Sequence, residues 1–155
     1  MPDLKRIKAR ALMSKIIEAQ IETGQPYMLY KDAVNEKSNQ KNIGVIKSSN
    51  LCAEIVEYSE KDETAVCNLA SIALPKFVTD ESKFDYQNLY QVAKLATKNL
   101  DQVIDINFYP TDKTENSNSR HRPIGLGIQG LADVYFKMNI AYDSVQAQII
   151  NKQIF

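Results

Sequence analysis

The sequence contains no tryptophan, a single histidine and only two cysteines among its 155 residues. A structural zinc site takes four Cys or His ligands, so this chain alone cannot supply a conventional metal site. Two cysteines without a secretory signal are also too few for a disulfide scaffold. Acidic and basic residues balance at 19 each, without the basic excess that is typical of nucleic-acid-binding domains. On these grounds the two cysteines are interpreted as ordinary buried thiols of a reduced, cytoplasmic protein.

Long apolar runs are absent as well. None approaches the roughly 18 residues that a bilayer-spanning helix needs. The opening residues, Met-Pro-Asp-Leu-Lys-Arg, lack the apolar stretch of a secretory signal. The hydrophobic fraction of 44% is sufficient for a buried core, and the length suggests about one ordinary domain. We therefore expect no membrane association and a cytoplasmic location.

Apolar spacing predicts three main helices, over residues 3–23, 86–105 and 128–138. The clearest is 86–105, where Leu89, Leu100 and Ile104 belong to one amphipathic series and Asp85 is a candidate cap. Gly24 and Pro26 are expected to end the first helix. Ser144 is a candidate cap for a last helix. The polar stretch 31–42 is not expected to have a buried face, and the polar stretch 111–121 is predicted to be a loop.

The region 44–77 is predicted to hold two extended segments, 44–58 and 65–77. In an extended backbone Asn50, Cys52 and Glu54 would project to one side, about 7 Å apart at alternate positions. Such a row could combine a hydrogen-bond anchor, a reactive sulfur and a proton acceptor. On spacing alone, an ordinary strand without a chemical role is the alternative to a reactive site. Cysteine-protease chemistry would depend on His121, the one histidine.

A glycine pattern, Gly125-Leu-Gly-Ile-Gln-Gly130, matches the letters of a dinucleotide-binding fingerprint. That motif requires a buried strand before it and an acidic residue about 20 positions later. Here a polar segment precedes the glycines, and Asp143 follows Gly130 by only 13 residues. Tight glycine packing at the start of a helix is the favoured interpretation.

Several longer segments carry a family resemblance. They are Lys47-Ser-Ser-Asn-Leu-Cys-Ala-Glu-Ile-Val-Glu-Tyr58, Ala65-Val-Cys-Asn-Leu-Ala-Ser-Ile-Ala-Leu74, Arg120-His-Arg-Pro-Ile-Gly-Leu-Gly-Ile-Gln-Gly-Leu-Ala-Asp133 and Thr23-Gly-Gln-Pro-Tyr-Met-Leu-Tyr-Lys-Asp32, with Lys37-Ser-Asn-Gln40 and Asn151-Lys-Gln-Ile-Phe155. Through these segments the chain resembles the large, catalytic subunit of class I ribonucleotide reductase over nearly its whole length. The gap of 15 residues between Cys52 and Cys67 is typical of the eukaryotic or viral branch. The resemblance implies that the region 44–77 contains the active-site loop.

This resemblance implies a fold and a set of residue roles. The fold would be α/β, a partial segment of a ten-stranded α/β barrel, with residues 1–155 as an internal fragment of that domain. Cys52 would become a thiyl radical that abstracts the 3′ hydrogen of a ribonucleoside diphosphate. Glu54 would take the 3′-hydroxyl proton, and Asn50 would hydrogen-bond the substrate. Cys67 would be one half of a redox-active disulfide.

The resemblance also implies partners. A separate small subunit would carry the radical cofactor, a di-iron tyrosyl centre, and this chain would hold no cofactor or metal itself. ATP and deoxynucleotide effectors would bind regions outside it. The rest of a homodimeric large subunit and a thioredoxin or glutaredoxin reductant complete the set, with no direct nucleic-acid contact. Because the partner thiol of Cys67 is not in the sequence, the isolated chain is expected to be inactive. An inactive truncated remnant or a non-enzymatic interaction module is the alternative.

Overall fold

The structure is a computed structural model that describes residues 6–155. The chain divides into two compact units, one ending at Tyr58 and the other spanning Ser59–Phe155. Each unit is described by itself. Within the described residues, no helix has both the length and the apolar character that crossing a membrane requires.

The first unit contains two helices, α1 (Ala9–Thr23) and α2 (Lys31–Lys37), followed by an irregular segment up to Tyr58. Gly24 ends α1 in the left-handed conformation, and its amide donates to the Gln20 carbonyl, as its sequence position predicts. The predicted start of this helix at Asp3 lies outside the described residues, and residues 6–8 are not helical. α2 occupies part of the polar stretch 31–42 and buries none of its residues.

The second unit contains two paired strands and four helices. Its elements in chain order are β1 (Asn68–Ala73), a 3₁₀ turn (Leu74–Phe77), α3 (Tyr86–Ile106), α4 (Asp112–His121), β2 (Ile124–Gln129), α5 (Leu131–Lys137) and α6 (Val145–Ile154). The two strands pair in parallel, with Asn68 opposite Ile124 and Ala73 opposite Gln129. The connection between them runs through α3 and α4, which is the β–α–β arrangement that parallel strands need. The unit is therefore α/β, as predicted.

One face of this two-stranded sheet is buried against the helices. Ile72 is 8% exposed and belongs to the main apolar cluster, against which Leu126 and Ile128 of β2 also pack. α3 contributes Leu89 to the same cluster. Because its apolar residues recur at helical spacing, α3 turns one side toward the core and the other toward solvent. Its start is capped as predicted, since the Asp85 side chain accepts from the Asn88 amide.

Four sequence-based element assignments were wrong, wholly or in part. The segment 44–58 forms no strand, and in 65–77 only Asn68–Ala73 is strand. Residues 128 and 129 belong to β2, so the predicted helix 128–138 begins instead at Leu131. The predicted loop 111–121 contains α4, whose start has a reciprocal capping box between Thr111 and Thr114.

The physical reason for missing α4 lies in the residues it buries. These are Thr114, Ser117 and Asn118, all polar. Their spacing of three and one places them on one helix face, but a search for apolar periodicity does not detect such a face. Ser144 does cap α6, accepting from the Ala147 amide as predicted.

Candidate functional site

The loop that carries Asn50, Cys52 and Glu54 is held at both ends by polar side chains of the first unit. At one end Asn35 of α2 accepts from the Ile46 amide at 2.7 Å and donates to the Ile46 carbonyl at 3.0 Å. At the other end Gln40 accepts from the Tyr58 amide at 2.8 Å. These three bonds replace the strand pairing that the segment lacks and give the loop a defined base.

The tip of the loop is a turn over residues 50–53. The Ala53 amide donates to the Asn50 carbonyl at 3.1 Å, and Ala53 has a positive φ of 68°. The side-chain oxygen of Asn50, the first residue of the turn, accepts from the Ile55 amide at 3.0 Å. This second hydrogen bond closes the turn. The predicted extended row was therefore wrong: Asn50, Cys52 and Glu54 lie around a turn rather than along a strand.

The turn still gathers the three predicted side chains within five residues of one loop. Asn50, Cys52 and Glu54 are all exposed in this unit. Leu51 beside them is 92% exposed, which is unusual for a leucine held at a bonded turn. Chemically the tip offers an amide, a thiol and a carboxylate to whatever approaches it.

Cys67 lies in the second unit, directly before β1. Its sulfur faces the neighbouring strand, because a methyl group on Gly125 would lie 3.5 Å from Cys67 Sγ. Leu69 and Ser71 of β1 share this face and are exposed, opposite Gly125 and Gly127 of β2. The parallel pairing thus brings together the Val-Cys-Asn-Leu segment and the Pro-Ile-Gly-Leu-Gly segment, which lie more than 50 residues apart in the sequence.

Two of the three glycines of the Gly-x-Gly-x-x-Gly pattern lie inside β2, and the third caps α5. Gly130 has a φ of 79°, and a Cβ there would meet the Pro75 ring at 2.7 Å. This is the tight packing at a helix start that was predicted. The nucleotide fingerprint requires its glycines to follow a strand, whereas here Gly125 and Gly127 are part of one.

The sequence interpretation missed a cluster of charges around Glu63, which precedes Cys67 by four residues. Glu63 is only 8% exposed, and its carboxylate accepts from Arg120 and, at 2.6 Å, contacts His121 Nε2. The Arg-His-Arg run was visible in the sequence, but its partner lies 57 residues upstream of Arg120. Across the part of the chain that the structure describes, no group of His, Cys, Asp and Glu side chains is arranged to hold a metal ion.

Arg122, which lies just before β2, is bonded to α3. Its guanidinium donates to the carboxylates of Asp101 at 2.7 Å and Asp105 at 2.8 Å. The Arg122 hydrogen bond lowers the pKa of Asp105 below its ordinary value, and the same two carboxylates raise the pKa of Arg122. Arg122 itself has a φ of 47° and ends α4 in the left-handed conformation. The bonds of its guanidinium to Asp101 and Asp105 therefore hold the chain where it turns from α4 toward β2.

A parallel β–α–β unit with an open sheet and flanking helices is typical of part of an α/β barrel. The sequence matches the family model described as the ribonucleotide reductase barrel domain over residues 2–155. The chain therefore belongs to the ribonucleotide reductase barrel-domain family.

Curated relatives at high identity are ribonucleoside-diphosphate reductase large subunits. That of Danio rerio is 60% identical over 149 residues, and large chain 2 of Saccharomyces cerevisiae is 56% identical over 156 residues. The large subunit of monkeypox virus is 56% identical over 149 residues. These matches cover 96%, 97% and 96% of this chain, but only 19%, 18% and 19% of the relatives. The chain thus spans about a fifth of their length, and the predicted eukaryotic or viral kinship is confirmed.

A solved structure supports the same fold. The chain is similar to the Actinobacillus ureae class Id ribonucleotide reductase alpha subunit, with a TM-score of 0.75 and 31% sequence identity. The match covers 94% of this chain and 28% of that one. The prediction of an α/β barrel segment is confirmed.

Proposed function

We propose that this chain forms part of the catalytic barrel of a ribonucleoside-diphosphate reductase large subunit. The complete subunit would convert ribonucleoside diphosphates to deoxyribonucleoside diphosphates for DNA synthesis. The observation that carries the proposal is the loop tip, where Asn50, Cys52 and Glu54 lie around one hydrogen-bonded turn. The high identity to large subunits supports it.

The radical step is assigned to Cys52. Its thiyl sulfur takes the hydrogen atom from C3′ of the ribose, which leaves a thiol on Cys52 and an unpaired electron on C3′. The exposure of Cys52 in this unit supports this role, because the sulfur has to touch the substrate. The bonded loop base supports it too, because hydrogen-atom transfer needs the two atoms held in near contact.

Glu54 and Asn50 handle the ribose hydroxyls in this proposal. Glu54 accepts the 3′-hydroxyl proton while the 2′-hydroxyl takes up a proton and leaves as water. The Asn50 side-chain oxygen already accepts from the Ile55 amide. We therefore assign its substrate contact to the Nδ2 donor, which keeps the turn closed while the substrate is bound.

Cys67 is assigned to the reducing step. Together with a second thiol outside this sequence it gives up two electrons and two protons, and the two sulfurs form a disulfide. One proton goes to the leaving 2′-hydroxyl, the other proton and both electrons reduce C2′, and Glu54 returns its proton to the 3′ oxygen. The hydrogen atom then returns from Cys52 to C3′. The net change is one ribonucleotide and one dithiol converted to one deoxyribonucleotide, one disulfide and water.

The remaining partners follow from the family and belong to the same proposal. A separate small subunit carries the radical cofactor, which supplies the unpaired electron, and a di-iron tyrosyl centre is the type we propose. A thioredoxin or glutaredoxin reduces the disulfide, and the large subunit is a homodimer. The cytoplasmic location stays a prediction.

The test uses the complete large subunit that contains this segment, assembled with its small subunit. Cys52→Ser should abolish both tritium release from 3′-labelled substrate and deoxynucleotide formation. Cys67→Ser should retain tritium release and block clean product formation. Ser48→Ala, an exposed change on the same loop, serves as the control and should leave both unchanged. Tritium release by the Cys52→Ser variant would contradict the radical assignment.

The isolated chain provides a second check. It should form no deoxynucleotide even with a small subunit present, because Cys52 is assigned to hydrogen abstraction and the sequence contains no third cysteine to complete the dithiol. Deoxynucleotide formation by the 155-residue chain alone would contradict the assignment of Cys67 to a dithiol.

A further inference from the structure

The charge cluster around Glu63 has no part in the chemistry described so far. Glu63 is 8% exposed, and both of its carboxylate oxygens are engaged, one by Arg120 and the other by His121. Burying a carboxylate is costly unless it is paired and hydrogen-bonded. Surface solubility therefore does not explain why a carboxylate is buried at Glu63 with an ion-pair partner on each oxygen.

The cluster belongs to a larger set of bonds that tie one short segment to α4. The Asp62 carbonyl accepts from Asn116 at 3.0 Å, and the Thr64 amide donates to the Lys113 carbonyl at 3.1 Å. On the far side of Cys67, the Asn68 side chain donates to Asn118 at 3.3 Å. Residues 62–64 and Asn68, on either side of Cys67, are thus bonded to a single helix.

Cys67 lies inside this fixed segment, four residues after Glu63 and immediately before Asn68. Its sulfur faces Gly125 on β2, and β2 begins three residues after His121. Arg120 and His121, which bind Glu63, therefore lie just before the strand β2 that the Cys67 sulfur faces. Loss of the Glu63 bonds would weaken the attachment of the chain on the N-terminal side of Cys67, leaving the main-chain bonds of Asp62 and Thr64 to hold it to α4.

We propose that Glu63, with Arg120 and His121, is a positioning residue for Cys67 in the dithiol–disulfide step. The inference rests on the redox role of Cys67 given under the proposed function. To form the disulfide, two S–H bonds break, two electrons and two protons pass to the ribose that loses its 2′-hydroxyl as water, and the sulfurs approach to about 2.05 Å. A segment held rigidly keeps the two thiols at a high effective concentration, so the disulfide forms readily.

The experiment compares variants of the complete subunit assembled with its small subunit. Glu63→Gln removes the charge, and Glu115→Gln is the matched control, because it removes an exposed carboxylate from α4, the helix that carries Arg120 and His121. Glu63→Gln should leave tritium release from 3′-labelled substrate within about twofold of wild type. Its deoxynucleotide formation should fall between about tenfold and a hundredfold, the range expected when a reacting group is displaced by an ångström.

A redox titration supplies a readout that a purely structural role would not move. If the effective concentration of the two thiols falls tenfold, the midpoint potential of the Cys67 disulfide rises by about 30 mV, the tenfold equivalent for a two-electron couple. His121→Gln keeps a donor for the Glu63 carboxylate and should retain a near-normal potential. His121→Leu removes the donor and should shift the potential in the same direction as Glu63→Gln.

The outcomes separate this inference from the proposed function. An unchanged potential and normal product formation in Glu63→Gln would overturn the positioning role. So would a parallel loss of tritium release and product, which would indicate general unfolding. Clean product formation by Cys67→Ser would instead refute the redox role of Cys67 itself.

Discussion

Asn118 offers a sharp test of how the second unit is held together. It is fully buried at 0% exposure on α4. Its side chain accepts from Asn68 at 3.3 Å and donates to the Tyr109 hydroxyl at 2.5 Å. The Tyr109 hydroxyl in turn donates to the Ile104 carbonyl at 2.7 Å. Asn118→Ala would break the middle of this chain of hydrogen bonds.

The expected cost follows from what each partner loses. Tyr109 loses an incoming donor, and Asn68 loses one of its two acceptors, since it also bonds the Pro123 carbonyl. At about 1 kcal/mol for each lost bond, plus about 1 kcal/mol for the small cavity, the gross cost is roughly 3 kcal/mol. Alanine recovers about 0.5 kcal/mol through helix propensity. The free energy of unfolding should therefore fall by about 2.5 kcal/mol.

Urea unfolding of the chain, followed by far-ultraviolet circular dichroism, measures this change. With a slope of about 2 kcal/mol per molar urea, the midpoint should fall by roughly 1 M. Asn99→Ala, an exposed change in the middle of α3, is the control and should be neutral or slightly stabilising. Combining Asn118→Ala with Tyr109→Phe should cost about 1 kcal/mol less than the sum of the single changes. If Asn118→Ala behaves like Asn99→Ala, the buried network contributes no stability and the reasoning fails.

Two further predictions concern Arg122 and Gly130. Because Arg122 lowers the pKa of Asp105, their pairing stabilises the fold above the unfolded pKa of about 3.9 and is lost as the pH falls through the lower folded value. Arg122→Gln should thus destabilise the chain at neutral pH but not in strong acid, and an NMR titration should show the Asp105 pKa rising toward its ordinary value; an unmoved pKa would contradict the pairing. Gly130→Ala should cost about 2–4 kcal/mol in urea unfolding, because its positive φ and the Pro75 ring 2.7 Å away both resist a methyl group. Gly127→Ala, whose methyl would meet nothing closer than 3.9 Å, is the control, and equal costs for the two changes would refute the argument.

Features encoded by local chemistry could be predicted from the sequence. α3 was found to within one residue, because Leu89, Leu100 and Ile104 repeat at helical spacing. The caps Asp85 and Ser144 and the stop at Gly24 each depend on a single side chain and its nearest backbone groups. Such signals need no knowledge of the rest of the fold.

For the candidate site, too, the sequence predicted the residues but not their conformation. The four residues Asn50, Cys52, Glu54 and Cys67 were identified from their motifs, and their roles stay predictions. Their conformation was not predictable, since the turn at 50–53 depends on the Asn50 side chain bonding the Ile55 amide. The same run of residues can form an extended segment or a turn, so the residue types alone do not distinguish the two conformations.

Short runs of residues carry both the family and the candidate reactive groups, so both can be predicted without knowledge of the fold. Which distant residues meet can be known only from the folded structure. Glu63 and Arg120 are 57 positions apart, and the strand pairing that joins the Cys67 segment to the glycine segment is equally remote. Long-range pairing is set by the burial of whole faces of helices and strands, including the polar face of α4 that apolar periodicity does not reveal.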